Sequence, residues 1–192
     1  MKRLVAATAF FFVTAAQAGI ITGFTDDYDV SNWTTAFTDP CTSCYTIATP
    51  TELTLGGAQG DEALDQYTDR TITVPTEAIV RFDWRYVTDD DPFFDPFGII
   101  YNDGSGFIFT PLSDDSGGSQ QTGSLSFVVD AGDTFGFRVW SLDSLNEAAT
   151  GIIFNFSVET EDVAAVPEPG SLALFGIAVL AAAAIRRRRF VA

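Results

Sequence analysis

The middle of the chain alternates. From Ala78 to Val87 every second residue is apolar: Val80, Phe82, Trp84 and Tyr86 share one side, and Arg81, Asp83 and Arg85 share the other. A period of two is the signature of a strand with one buried face. Thr134–Ser141 repeats the pattern through Phe135, Phe137 and Val139. Gly151–Thr160 does so through Ile152, Phe154, Phe156 and Val158. Shorter strands are expected at Ile20–Phe24, Glu52–Leu55, Arg70–Val74, Gly98–Tyr101, Phe107–Thr110 and Ser124–Val129. Between them lie Asp, Gly, Ser, Asn and Pro, the residues that turns require. No amphipathic helix is legible before residue 171. About nine strands in this length predict an all-β fold, an antiparallel β-sandwich of jelly-roll-like type. Its core is expected to hold Val80, Phe82, Trp84, Tyr86, Phe135, Phe137, Ile152, Phe154 and Phe156.

The two ends follow a different rule. Lys2 and Arg3 precede an apolar run, Leu4–Ala16, and Ala16-Gln17-Ala18 has the small-x-small form that signal peptidase cleaves. Residues 1–18 are therefore expected to be a signal peptide. At the other end, Val166-Pro167-Glu168-Pro169 stops any helix that precedes it. An apolar run from Leu172 to Ile185 follows, and then Arg186, Arg187, Arg188 and Arg189. At 1.5 Å per residue that run reaches roughly 21 Å, short of the ~30 Å hydrocarbon core. Gly170, Ser171 and snorkelling arginine stems make up part of the difference. The arginines mark a cytoplasmic stop. A single transmembrane helix is expected here, and 19–165 remains as the ectodomain.

Removing the ends sharpens the charge. Only Arg70, Arg81, Arg85 and Arg138 remain basic, against 25 acids, so the ectodomain carries about −21. Such a domain repels nucleic acid and anionic lipid and attracts divalent cations. The chain has no histidine, so Ser-His-Asp and Cys-His catalysis are closed to it. Paired carboxylates could run glycoside hydrolysis, but with so many acids some pair at a suitable distance arises by chance.

Three clusters carry candidate chemistry. Cys41 and Cys44 form a C-x-x-C unit. Zinc would need further Cys or His ligands, so in an exported chain a local disulfide is the expected reading. Asp89, Asp90, Asp91 and Asp95, stiffened by Pro92 and Pro96, are the candidate calcium ligands, set against solvated loop carboxylates. Asp26-Asp27-Tyr28-Asp29 and Asp114-Asp115 are weaker clusters. Calcium is the one cofactor the residues suggest. Phe93, Phe94 and Phe97 lie beside these acids and offer a sugar platform, although Trp and Tyr serve that role more often and phenylalanines at strand ends commonly cap a core.

The Pro-Glu-Pro triplet, the short apolar run and the arginine cluster together resemble the PEP-CTERM sorting signal, over about residues 165–190. Tails of this kind are also called ice-binding protein C-terminal segments, a description of the tail alone. The resemblance implies export in a Gram-negative bacterium that makes extracellular polymer. It implies an exosortase acting near the triplet while the tail crosses the inner membrane, and a final place at the cell surface or in the matrix. The body is similar to the β-sandwich passengers that carry this tail, through Phe82-Asp83-Trp84-x-Tyr86, Ala131–Phe137 and Asn155-Phe156. That likeness implies no activity. The reading is thus an exported, non-enzymatic surface or biofilm-matrix protein. A calcium-dependent carbohydrate-binding module and a secreted carboxylate-dependent hydrolase are the alternatives, and extracellular polysaccharide is the expected partner.

Overall fold

In the computed structural model of the chain, residues 19–38, 41, 43–60, 65–145 and 148–160 are described. The expected signal peptide (1–18) and the expected sorting tail (166–192) lie outside them, as does the expected boundary at 165. Eleven strands run through the described residues: β1 Gly19–Thr22, β2 Thr34–Phe37, β3 Tyr45–Ala48, β4 Glu52–Gly56, β5 Gln66–Thr73, β6 Ala78–Val87, β7 Phe97–Asn102, β8 Ile108–Pro111, β9 Gln120–Val129, β10 Thr134–Ser141 and β11 Thr150–Thr160. Sheet A has the order β3-β4-β11-β6-β9, with β1 also paired to β11, and sheet B has the order β2-β5-β10-β7-β8. Every pairing is antiparallel. From β4 to β7 the chain alternates between sheets, and from β8 to β11 it alternates back. β11 inserts between β4 and β6 and β10 between β5 and β7, while β9 and β8 close the two sheets beyond β6 and β7, a jelly-roll-like arrangement. Strand β11 is therefore interior, flanked by β6 on one side and by β4 and then β1 on the other.

β6 and β10 hold the phase their sequence announces. Val80, Phe82, Trp84 and Tyr86 face Phe135, Phe137 and Val139 across the interior, all of them buried. The expectation for β11 needs correction. Its register shifts between Phe154 and Ser157, and Asn155 sits in the left-handed region with φ of 49°. One extra residue in a strand reverses its side-chain phase. Before the bulge Ile153 pairs with Trp84 and points inward, while Ile152 pairs with Arg85 and Phe154 with Asp83 on the outer phase, where Ile152 is nevertheless buried as expected. After it Phe156 and Val158 point inward. Phe154 is accordingly only half-buried, and Ile153 takes its expected place in the core.

Two edge strands, β2 and β3, were not expected, and the core is richer than the alternation shows. Phe24, Tyr28 and Trp33 come from the segment between β1 and β2, which forms two short 3-10 turns. All three are buried. Phe24 stacks on Phe156 with ring centres 4.6 Å apart, and Trp33 stacks on Phe137 at 5.9 Å. The Trp33 indole donates to the Tyr28 carbonyl at 3.0 Å, as a buried indole N–H requires. Arg70, on the inward phase of β5, donates to the Val30 carbonyl at 2.6 Å and to the Thr35 hydroxyl. It ties this segment to sheet B, and burial lowers its pKa.

Candidate functional site

Cys41 and Cys44 lie just before β3 and are paired as a disulfide with Cα atoms 5.7 Å apart, a usual span for such a bridge. The four candidate calcium ligands sit on the loop from β6 to β7 and do not converge. Asp89 and Asp91 are exposed, and Asp95 is wholly buried. Asp91 accepts from the Phe93 amide at 3.1 Å, and Asp90 accepts from the Asp91 amide at 2.7 Å; these are turn-forming bonds. Asp95 points inward and joins the ends of two strands. It accepts from the Thr88 hydroxyl at 3.1 Å after β6 and from the Ser141 hydroxyl at 2.8 Å at the end of β10. Burial pushes its carboxyl up to about 6, Ser141 and Thr88 pull it back, and Asp90 and Asp143 push it up further. Among the described residues no three His, Cys, Asp or Glu side chains are placed to hold a metal ion. The three phenylalanines also part company. Phe97 is in the core, while Phe93 and Phe94 are exposed and meet edge to face at 5.2 Å.

What the sequence reading missed lies on the outer face of sheet B. The alternate phase of β5 and β10 pairs Tyr67 with Trp140 and Asp69 with Arg138. Arg138 grips Asp69 through two parallel bonds of 2.7 Å, from Nε and Nη2, and this fork geometry is the strong form of the pair. Burial pushes the Asp69 carboxyl up, and Arg138 pulls it back. The guanidinium lies 4.1 Å from the Tyr67 ring centre and 5.6 Å from that of Trp140, both within cation–π reach. The Trp140 indole donates to Asp65. Phe109 of β8 meets Trp140 edge-on at 5.5 Å. It lies across Gly98, where an added Cβ would come within 2.8 Å of the ring. Tyr67, Trp140 and Phe109 thus form a half-exposed aromatic shelf locked around one ion pair. The sequence did carry a signal: Arg138 and Trp140 occupy the solvent phase of a strand, where large aromatic surface has no folding reason to be.

Around the bulge in β11 the outer face of sheet A is polar by contrast. The bulge presents Asn155, whose amide donates to Asp83 at 2.7 Å, and the Ser124 hydroxyl donates to the same carboxylate at 2.5 Å. Asn155 first, and Ser124 next, hold the Asp83 carboxyl below its ordinary pKa. Two open hollows of about 470 and 440 Å³ share Asn155. One is lined by Thr22, Thr25, Pro50 and Thr51, the other by Arg81, Asp83, Ser124 and Ser126. Among the described residues no helix is long and apolar enough to cross a membrane.

Residues 165–189 match the PEP-CTERM protein-sorting motif. No curated protein matches the chain. Several solved structures resemble it at low identity. A xylan-binding module, CBM15, is 13% identical with a TM-score of 0.42, covering 76% of this chain and 98% of that one. The family 11 carbohydrate-binding module of the cellulosomal cellulase Lic26A-Cel5E of Clostridium thermocellum is 12% identical with a TM-score of 0.38, over 77% of this chain and 96% of that one. TmCBM61, in complex with β-1,4-galactotriose, is 13% identical with a TM-score of 0.37, over 72% of this chain and 94% of that one. The likeness is one of sandwich fold.

Proposed function

We propose that this chain is an exported, non-catalytic surface protein that is delivered through its C-terminal signal and holds a neutral polysaccharide on the outer face of sheet B. Signal peptidase cuts after Ala18, and the tail is held in the inner membrane with Arg186, Arg187, Arg188 and Arg189 on the cytoplasmic side. An exosortase acts near Val166-Pro167-Glu168-Pro169, and the ectodomain passes to the cell surface or the extracellular matrix of a biofilm. The motif match over 165–189 supports the sorting half of this reading.

The aromatic shelf carries the binding half. Sugar rings present flat C–H faces, and aromatic rings held rigidly at a surface receive them with little entropy cost. Arg138 fixes the shelf: two of its five N–H groups go to Asp69, and its plane braces Tyr67. A domain near −21 repels anionic polymers, which selects neutral glycans. Calcium plays no part in this reading, because the acids around Asp95 form turns and a buried bridge.

Electrophoresis through gels containing a soluble neutral polysaccharide (xylan, β-glucan or galactan) tests it. At least one polymer should retard the protein, Tyr67→Ala and Trp140→Ala should abolish the retardation, and a calcium chelator should leave it unchanged. Equal retardation of wild type and both variants, or none of the wild type on any neutral polymer, overturns the reading. Shortening of the polymer on incubation would favour the hydrolase alternative.

A further inference from the structure

The four short edges of the two sheets contrast with one long edge. β1, β2, β3 and β8 are each four residues long, and β8 ends in Pro111. β9 closes sheet A with ten residues, Gln120–Val129, and among the described residues it pairs on one side only, with β6. Proteins blunt exposed edges by shortness, charge, proline or bulges. The other four edges use the first device. β9 uses none of them: it has no charged residue and no proline, and its ten-residue register with β6 runs unbroken. Among the described residues, none of the backbone hydrogen bonds made outside the sheets involves residues 120–129. In an antiparallel edge strand every second residue turns both its N–H and its C=O outward.

Charge makes the contrast sharper. The ectodomain holds 25 acids, yet none falls within β9, while Asp114 and Asp115 precede it and Asp130 follows it. The neighbouring row on β6 sets Arg81 beside Ser126 and Arg85 beside Thr122, with Asp83 beside Ser124 between them. Two of the four ectodomain arginines therefore flank this edge. Arg81 is paired with Glu159 at 2.7 Å, and β9 itself adds no acid to the edge, so a second acidic domain meets no carboxylate within this strand.

We infer that β9 is an assembly edge at which a second copy of this chain adds its own β9 antiparallel across a two-fold axis, joining two A sheets into one. A two-fold contact requires a self-complementary patch, and this strand supplies one. With Leu125 on the axis, Ser124 faces the second copy's Ser126 and Thr122 faces its Val128, so no charge opposes a charge. Leu125 and Phe127, already packed against the core, extend the apolar layer across the seam. The inference is independent of glycan binding, because the shelf lies on the other sheet.

Hydrogen exchange of the full-length chain in detergent micelles, at low and at high protein concentration, tests it. Alternate amides within 120–129 should exchange on the order of tenfold more slowly at high concentration, and sedimentation should show a dimer. Thr122→Lys/Val128→Lys places lysines opposite one another across the seam at two exposed positions and should abolish the protection. A copy carrying Thr122→Lys alone, mixed with a copy carrying Val128→Glu, should restore it. Absence of concentration-dependent protection in β9, or a dimer in which the double variant keeps that protection, overturns the inference.

Discussion

Asp95 lets the interior be read through pH. Its carboxyl is wholly buried between the ends of β6 and β10, and burial lifts it from an ordinary 3.8 to about 6. A raised carboxyl binds its proton more tightly in the folded chain than in the unfolded one. Its contribution to stability is therefore fully present below pH ~4 and is lost as pH rises through about 6. Each tenfold in proton affinity is about 1.4 kcal/mol, so the loss approaches 3 kcal/mol, a large share of the ~5–15 kcal/mol that holds a domain. Asp95→Asn keeps the shape and removes the charge, and the Thr88 and Ser141 hydroxyls can rotate to serve an amide. The variant should match wild type near pH 4 and exceed it by about 3 kcal/mol at pH 7.5. Urea unfolding followed by the fluorescence of buried Trp33 and Trp84 measures both, and the difference between the two proteins cancels the titration of the other acids. A difference that stays flat with pH, or grows toward acid, would refute the reasoning.

The bulge in β11 predicts an asymmetry: Ile153→Ala should cost about 2–5 kcal/mol, as expected for a buried aliphatic side chain, and Phe154→Ala clearly less, in denaturant melts of the two variants. Equal costs would place both on one face and remove the bulge. Replacing Pro167, Glu168 and Pro169 with alanines should leave the protein in the inner membrane with its tail attached, as fractionation and intact mass would show; normal processing would refute the sorting role of the triplet. Cys41 and Cys44 should resist alkylation in exported protein, whose mass should be two hydrogens below the reduced value, and the cross-link should add only ~2 kcal/mol because the loop it closes is so short.

The sandwich was legible because β6 and β10 keep a strict period through Val80–Tyr86 and Phe135–Val139, and few sequences do so unless one face is buried. The phase of β11 was not, since Ile152, Ile153 and Phe154 are all apolar and either register reads as a strand. Only the three-dimensional pairing with Trp84 and Asp83 decides it. Phe24, Tyr28 and Trp33 were hidden in an acid-rich stretch with no period at all. The acids near Asp95 in the chain were visible in the sequence, but its hydrogen-bond partners, the hydroxyls of Thr88 and Ser141, were not, because Ser141 comes from a distant strand. The shelf needed register: Tyr67 and Trp140 are 73 positions apart, and nothing short of strand pairing brings them together.

β11 gives the fold a mechanical character. Its last residues pair with β1, so that Gly19 and Thr160 are opposite one another, and the last described strand lies in the interior of sheet A. Tension from anything that grips the chain beyond residue 160 therefore enters the middle of a sheet. With β6 on one flank and β1 and β4 on the other, that strand cannot be peeled away one bond at a time. The ladders must slide and break together, and a load carried by many bonds in parallel is resisted far better than the same load applied to an edge.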